Sequence, residues 1–121
     1  MKKYPFYSVT RLLKAFGYSF EGLVAALKTE AAFKLELFCL IFLLPIAMLT
    51  DCSVVEKVLL VSSLILVVMA ELMNTAIEAV VDRISEEKHD LSKKAKDVGS
   101  AIVLVSLINA VFTWGIILFM G

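Results

Sequence analysis

The chain has 121 residues, 60% of them hydrophobic and 20% charged, with 5 Gly, 2 Pro and 12 basic against 12 acidic side chains. Such a composition excludes disorder, a collagen-like chain and a disulfide-framed secreted module, and the length allows one domain. The formal net charge of zero offers no basic field for nucleic acid.

The first element is amphipathic. Leu12, Phe16, Phe20, Leu23 and Leu27 recur at three- and four-residue steps, with Arg11, Lys14, Glu21 and Lys28 on the other side. The pattern predicts a helix over about residues 8–30 lying in the membrane interface. No small-residue cleavage site follows a compact apolar stretch, so the first hydrophobic helix is expected to stay in the product.

Three long apolar runs follow. Ala31 to Thr50 carries only Lys34 and Glu36, close to its start. Val58 to Val81 is charged only at Glu71 and Glu78, and Val98 to Gly121 has no charge. At about 1.5 Å per residue such helices cross about 30 Å of hydrocarbon. The prediction is an all-α membrane protein with spans at about 33–50, 55–82 and 96–119. Pro45 is expected to kink or end the first span. Ser92 is a candidate cap for the third, and Trp114 a candidate interfacial anchor. Ser106, Asn109 and Thr113 share a face suited to helix packing. Cys39 and Cys52 lie about 20 Å apart along a helix, too far for a disulfide. Lys and Arg crowd the N-terminal segment and the 82–97 loop. The positive-inside rule therefore places both in the cytoplasm and the C-terminus outside.

The second span carries the chemistry. At about 100° per residue, Glu71, Asn74, Glu78 and Asp82 fall within an arc of about 80°. A carboxylate at bilayer depth costs about 3 kcal/mol or more, so it points to a functional site. Three readings are open for this stripe: an interhelical polar clamp, a proton or ion pathway, and a catalytic site holding a divalent cation such as Mg²⁺. Glu30 and Glu36 start the first span, and Lys93, Lys94, Lys96 and Asp97 open the third, so acids that hold metal share a level with bases that hold phosphate. His89 is the only histidine and has no partner for a zinc site. No phosphate-binding glycine loop or kinase catalytic loop is present. The residues by themselves leave a lipid-head-group enzyme and a small proton-coupled transporter subunit both open.

The run Glu71-Leu-Met-Asn-Thr-Ala-Ile-Glu-Ala-Val-Val-Asp82 resembles the signature of the prokaryotic diacylglycerol kinase family of small integral membrane enzymes. So do Glu30-Ala-Ala-Phe33 and Ala95-Lys-Asp-Val-Gly-Ser-Ala101, while Arg11 to Tyr18, reading RLLKAFGY, resembles the family's surface helix. The family includes undecaprenol kinases, and these motifs look more like its Gram-negative diacylglycerol branch.

The resemblance implies a homotrimeric bundle in the bacterial inner membrane, Mg²⁺ as cofactor, ATP as donor, and phosphorylation of the primary hydroxyl of diacylglycerol to phosphatidic acid. It implies Glu71 as general base with Asn74 beside it, and Glu30 and Glu78 as metal and ATP ligands. Arg11, Tyr18, Glu87, Lys88, His89, Lys96 and Asp97 match ATP contacts. Lipid contacts match Arg11, Ala15, Phe16, Gly17, Tyr18, Ser19, Ala32, Phe33, Lys34, Glu36, Glu71, Ser100 and Trp114. Two positions depart from the family pattern: Lys34 stands where Arg is expected, and bulky Phe16 where a small Ala is expected.

Overall fold

A computed structural model describes residues 8–84 and 89–121. The described chain forms four helices: α1 (Val9–Thr29), α2 (Ala31–Leu49), α3 (Val54–Ile84) and α4 (Asp90–Met120). The last three are long and apolar enough to cross a membrane. At 31 residues each, α3 and α4 are about 46 Å long and exceed the hydrocarbon core, so one end of each projects beyond it.

A single non-helical residue joins α1 to α2. Glu30 is extended (φ −116°, ψ 107°), and its N–H closes α1 on the Ala26 carbonyl at 3.1 Å. The link from α2 to α3 is built from capping groups. Glu56 N–H donates to Ser53 Oγ at 3.1 Å while Ser53 N–H donates to Glu56 Oε1 at 3.0 Å, a reciprocal capping box. Lys57 Nζ donates to the Met48 carbonyl at 2.7 Å, placing a cation at the C-terminus of α2 where the helix dipole favours one.

Two sequence expectations need correction here. First, α2 does not stop at Pro45 and runs on to Leu49. Proline removes one hydrogen bond, that to the Ile41 carbonyl, and the remaining bonds of the helix carry it past this point to the cap on Ile46. Second, α4 begins at Asp90, ahead of the expected residue 96, and its cap is His89. The His89 Nδ1 accepts the Leu91 N–H at 3.1 Å, the service expected of Ser92. Asp90, Lys93, Lys94 and Asp97 are polar but helix-compatible, so the helix starts before the apolar run does. Cys39 and Cys52 are free thiols, as their spacing predicts.

The central helix is α3. Its buried residues are Leu60, Ser63, Leu64, Val67, Ala70, Glu71 and Val81, spaced by threes and fours along one stripe. It packs most extensively on α4 and less on α2, while α1 touches α2 and α3. The polar stripe and the packed stripe of α3 are therefore continuous, which brings Glu71 into the interior. Elsewhere the helices expose large apolar side chains, including Phe38, Ile41 and Phe42 on α2 and Val111, Phe112 and Phe119 on α4. Such surface suits a lipid solvent.

Candidate functional site

The three acidic residues predicted for catalysis and metal binding converge. Glu71 is 6% exposed and lies at the centre of the packed stripe. Glu30, at the α1–α2 break, reaches hydrogen-bonding range of Glu78 and feels the charge of Glu71. Burial, the neighbouring Glu78 carboxyl and the negative charge of Glu71 together push the Glu30 carboxyl above its ordinary range. The break between α1 and α2 makes this possible, because it ends one helix where the next helix starts against α3. Glu36, one and a half turns along α2, also lies close enough to Glu71 to feel its charge. The second oxygen of Glu36, Oε2, is buried and has no hydrogen-bond partner.

Asn74 lies between Glu71 and Glu78 along α3. Its Nδ2 donates to Glu78 Oε1 at 3.2 Å, an i,i+4 bond along α3 that fixes the direction of that carboxylate. Lys96 of α4 closes the same end of the site, with Nζ 2.7 Å from Asp82 Oδ1 and within electrostatic range of Glu78. Asp97 is turned to a neighbour on its own helix, Lys93, at 2.6 Å. A cation is thus held next to two acids at the α3–α4 rim, the arrangement needed to meet phosphate charge.

Among the described residues no three His, Cys, Asp or Glu side chains form a self-contained metal cage. That donor set still fits Mg²⁺, which usually takes one or two protein carboxylates and fills its octahedron with water and substrate phosphates. Glu30 and Glu78 offer such a pair of hard oxygen donors.

An apolar cleft of about 410 Å³ opens between α2 and α4 with α3 as its floor, lined by Leu40, Leu43, Leu64, Val67 and Leu107 among others. Glu36 is its acidic wall residue, and Trp114 lines it too. The cleft therefore joins an apolar slot to a carboxyl within electrostatic range of Glu71.

The other expected site residues are placed as follows. Arg11, Ala15, Phe16, Gly17, Tyr18 and Ser19 all lie on the exposed length of α1, and Ser19 Oγ donates back to the Ala15 carbonyl. Ala32, Lys34 and Ser100 are exposed. Phe33 is 1% exposed and packs the start of α2. Trp114 departs from expectation. Its indole N–H donates to the Leu60 carbonyl at 3.2 Å and to Ser63 Oγ at 3.0 Å, so its polar atom is spent inside the bundle and does not anchor the chain to an interface. His89 is exposed and serves as a helix cap. Glu87 and Lys88 lie outside the described residues.

Sequence reasoning missed Ser63 and the part played by Gly99. Ser63 reads as one more small residue in an apolar run, yet it is fully buried and ties α3 to α4 through Trp114. Gly99 is buried against Asn74. The available signal was a glycine in α4 at the level of the polar stripe.

The model of the prokaryotic diacylglycerol kinase family matches residues 17–118. The chain is 51% identical over 109 residues to the diacylglycerol kinase of Escherichia coli (strain K12), covering 90% of this chain and 89% of that protein. It is 46% identical over 108 residues to the diacylglycerol kinase of Pseudomonas aeruginosa, covering 89% and 88%. It is 43% identical over 111 residues to that of Haemophilus influenzae, covering 92% and 94%. A buried glutamate flanked by a carboxylate pair, a rim lysine and an apolar slot, on a chain matched over nearly its whole length, leaves one conclusion: the chain belongs to the prokaryotic diacylglycerol kinase family.

Proposed function

We propose that this chain phosphorylates the primary hydroxyl of diacylglycerol with Mg²⁺-ATP, giving phosphatidic acid, at the cytoplasmic face of the bacterial inner membrane and as a homotrimer. The observation that carries the reading is the position of Glu71. It is buried, within electrostatic range of Glu30, and close to Glu36, which lines the apolar cleft. A lipid whose chain occupies that cleft would bring its hydroxyl to a buried carboxylate without leaving the bilayer. The names of the relatives, all diacylglycerol kinases, support the same substrate.

In this reading Glu71 accepts the hydroxyl proton as the lipid oxygen bonds to the γ-phosphorus and the bond from that phosphorus to ADP breaks. Glu30 and Glu78 hold Mg²⁺, which when bound neutralises phosphate charge. Asn74 orients Glu78, and Lys96 and Arg11 meet the phosphate oxygens. The exposed apolar side chains Leu12, Phe16, Phe20 and Leu23 support α1 as a helix lying in the interface over the site. The basic N-terminal segment and 82–97 loop support a cytoplasmic site with the C-terminus on the periplasmic side.

The test is transfer of the γ-phosphoryl label from ATP to lipid by purified protein in mixed micelles, with diacylglycerol and undecaprenol side by side. Label in diacylglycerol supports the proposal. Label only in undecaprenol assigns the other lipid used within the family, and label in neither, from assembled protein, ends the kinase reading.

A further inference from the structure

Gly99 is buried in α4 against the polar stripe of α3. A Cβ at this position would collide with Asn74 Oδ1, and it would also lie 3.4 Å from Asn74 Cγ and 3.4 Å from Ile77 Cδ1. The amide of Asn74 therefore occupies the space that any residue other than glycine would fill. Oδ1 is buried, has no hydrogen-bond partner and lies where a Cβ of residue 99 would stand. The other end of the same amide donates to Glu78 Oε1 at 3.2 Å. One rigid planar group is thus wedged between a helix backbone and a carboxylate.

We propose that Gly99 is a positioning residue: its missing side chain admits the Asn74 amide between α3 and α4, and the amide in turn aims Glu78 at the nucleotide-bound cation. The inference rests on the kinase reading above. Backbone conformation is not the reason for glycine here, since no glycine in the described chain has positive φ. Space is the reason. The obstructing atom is the end of a side chain, so an added methyl group displaces the amide at less cost than it separates the helices. The consequence falls on Glu78 more than on the packing.

The experiment compares wild type, Gly99→Ala, Glu78→Gln and the double variant, with Gly115→Ala as the control. A Cβ at Gly115 meets nothing within 4 Å, so it adds the same methyl to the same helix without a collision. Gly99→Ala is expected to lower kcat about ten- to a hundredfold, the scale set by displacing a positioned group by about 1 Å. The KM for Mg²⁺-ATP should rise, with a matching loss of affinity for Mg²⁺ and a non-hydrolysable ATP analogue in isothermal titration without turnover, and the KM for diacylglycerol should hold. On the Glu78→Gln background the same change should add little, because both act on one carboxylate.

Wild-type kinetics in Gly99→Ala, equal rises in both KM values, full multiplication in the double variant, or an equal loss in Gly115→Ala would each overturn the proposal. If Gly99→Ala fails to assemble in detergent, Asn74→Ser on that background decides. Shortening residue 74 should restore assembly, and failure to do so would place the collision elsewhere and overturn the proposal. A wild-type protein with no lipid kinase activity would instead remove the functional reading, an outcome separate from the variant comparison.

Discussion

Lys96 of α4 reaches across to Asp82 of α3 at 2.7 Å, with the two side chains 43% and 59% exposed. The pair sits at the projecting end of the bundle, where water screens it. Exposed ion pairs contribute about 0–1 kcal/mol. Asp82→Asn should therefore move the unfolding midpoint in detergent only slightly. Lys96→Met should raise the KM for Mg²⁺-ATP with a similarly small change in stability. A large stability loss with unchanged nucleotide affinity would make Lys96 a structural residue.

Glu71 is expected to be indispensable for the chemical step. Glu71→Gln keeps the shape and a hydrogen-bonding end, so assembly should be unaltered while kcat falls by about 10²–10⁴. The KM for ATP should change little. Near-normal kcat in a well-assembled Gln variant would move the base to another residue.

Glu30→Gln and Glu78→Gln should behave differently from Glu71→Gln. Each removes a hard oxygen donor, so raising the Mg²⁺ concentration should partly restore both. The same addition should leave Glu71→Gln inactive. Failure of Mg²⁺ to help either variant would withdraw the ligand assignment.

The raised Glu30 carboxyl sets a pH dependence with a definite sign. Its folded form holds a proton more tightly than its unfolded form. Without a cation, folded stability therefore falls as pH rises from the ordinary carboxylate range through the raised value. A bound cation requires the deprotonated carboxylate, so apparent Mg²⁺ affinity should rise over the same interval. Isothermal titration with Mg²⁺ and a non-hydrolysable ATP analogue across that range measures it, and Glu30→Gln should flatten the slope. A slope unchanged by Glu30→Gln would assign the titration to another group.

A homotrimer allows each site to draw on two chains. If, in the proposed homotrimer, α1 of one subunit covers the glutamates of its neighbour, Ala15→Gln and Glu78→Gln chains that are separately inactive should complement. Unfolded together, mixed equally and refolded, they should recover roughly a quarter of wild-type activity, the product of two one-half chances at each interface. Mixed trimers that stay inactive would place each site within one chain.

Much of this molecule is legible in one dimension. Helix type and number follow from apolar period and run length, because a bilayer forces any spanning segment to satisfy its own backbone hydrogen bonds. The polar stripe of Glu71, Asn74, Glu78 and Asp82 is equally legible, since helical periodicity alone puts those residues on one face. Its continuity with the buried stripe of α3 depends on which helices flank it, and only the folded chain decides that. The meeting of Glu30 with Glu78 depends on the one-residue break between α1 and α2, and Glu30 carries no glycine or proline signal. Trp114 shows the same limit. Its place near the end of an apolar run suggests an interface, but the open partners Leu60 and Ser63 on α3 lie more than fifty residues earlier in the chain. Gly99 is the clearest case, for a glycine in a helix records only the lack of a side chain, and the neighbour that uses the space, Asn74, belongs to another helix. Periodicity is a property of one helix and can be read from its residues, whereas contact between helices is set by their packing and appears only when the chain is folded.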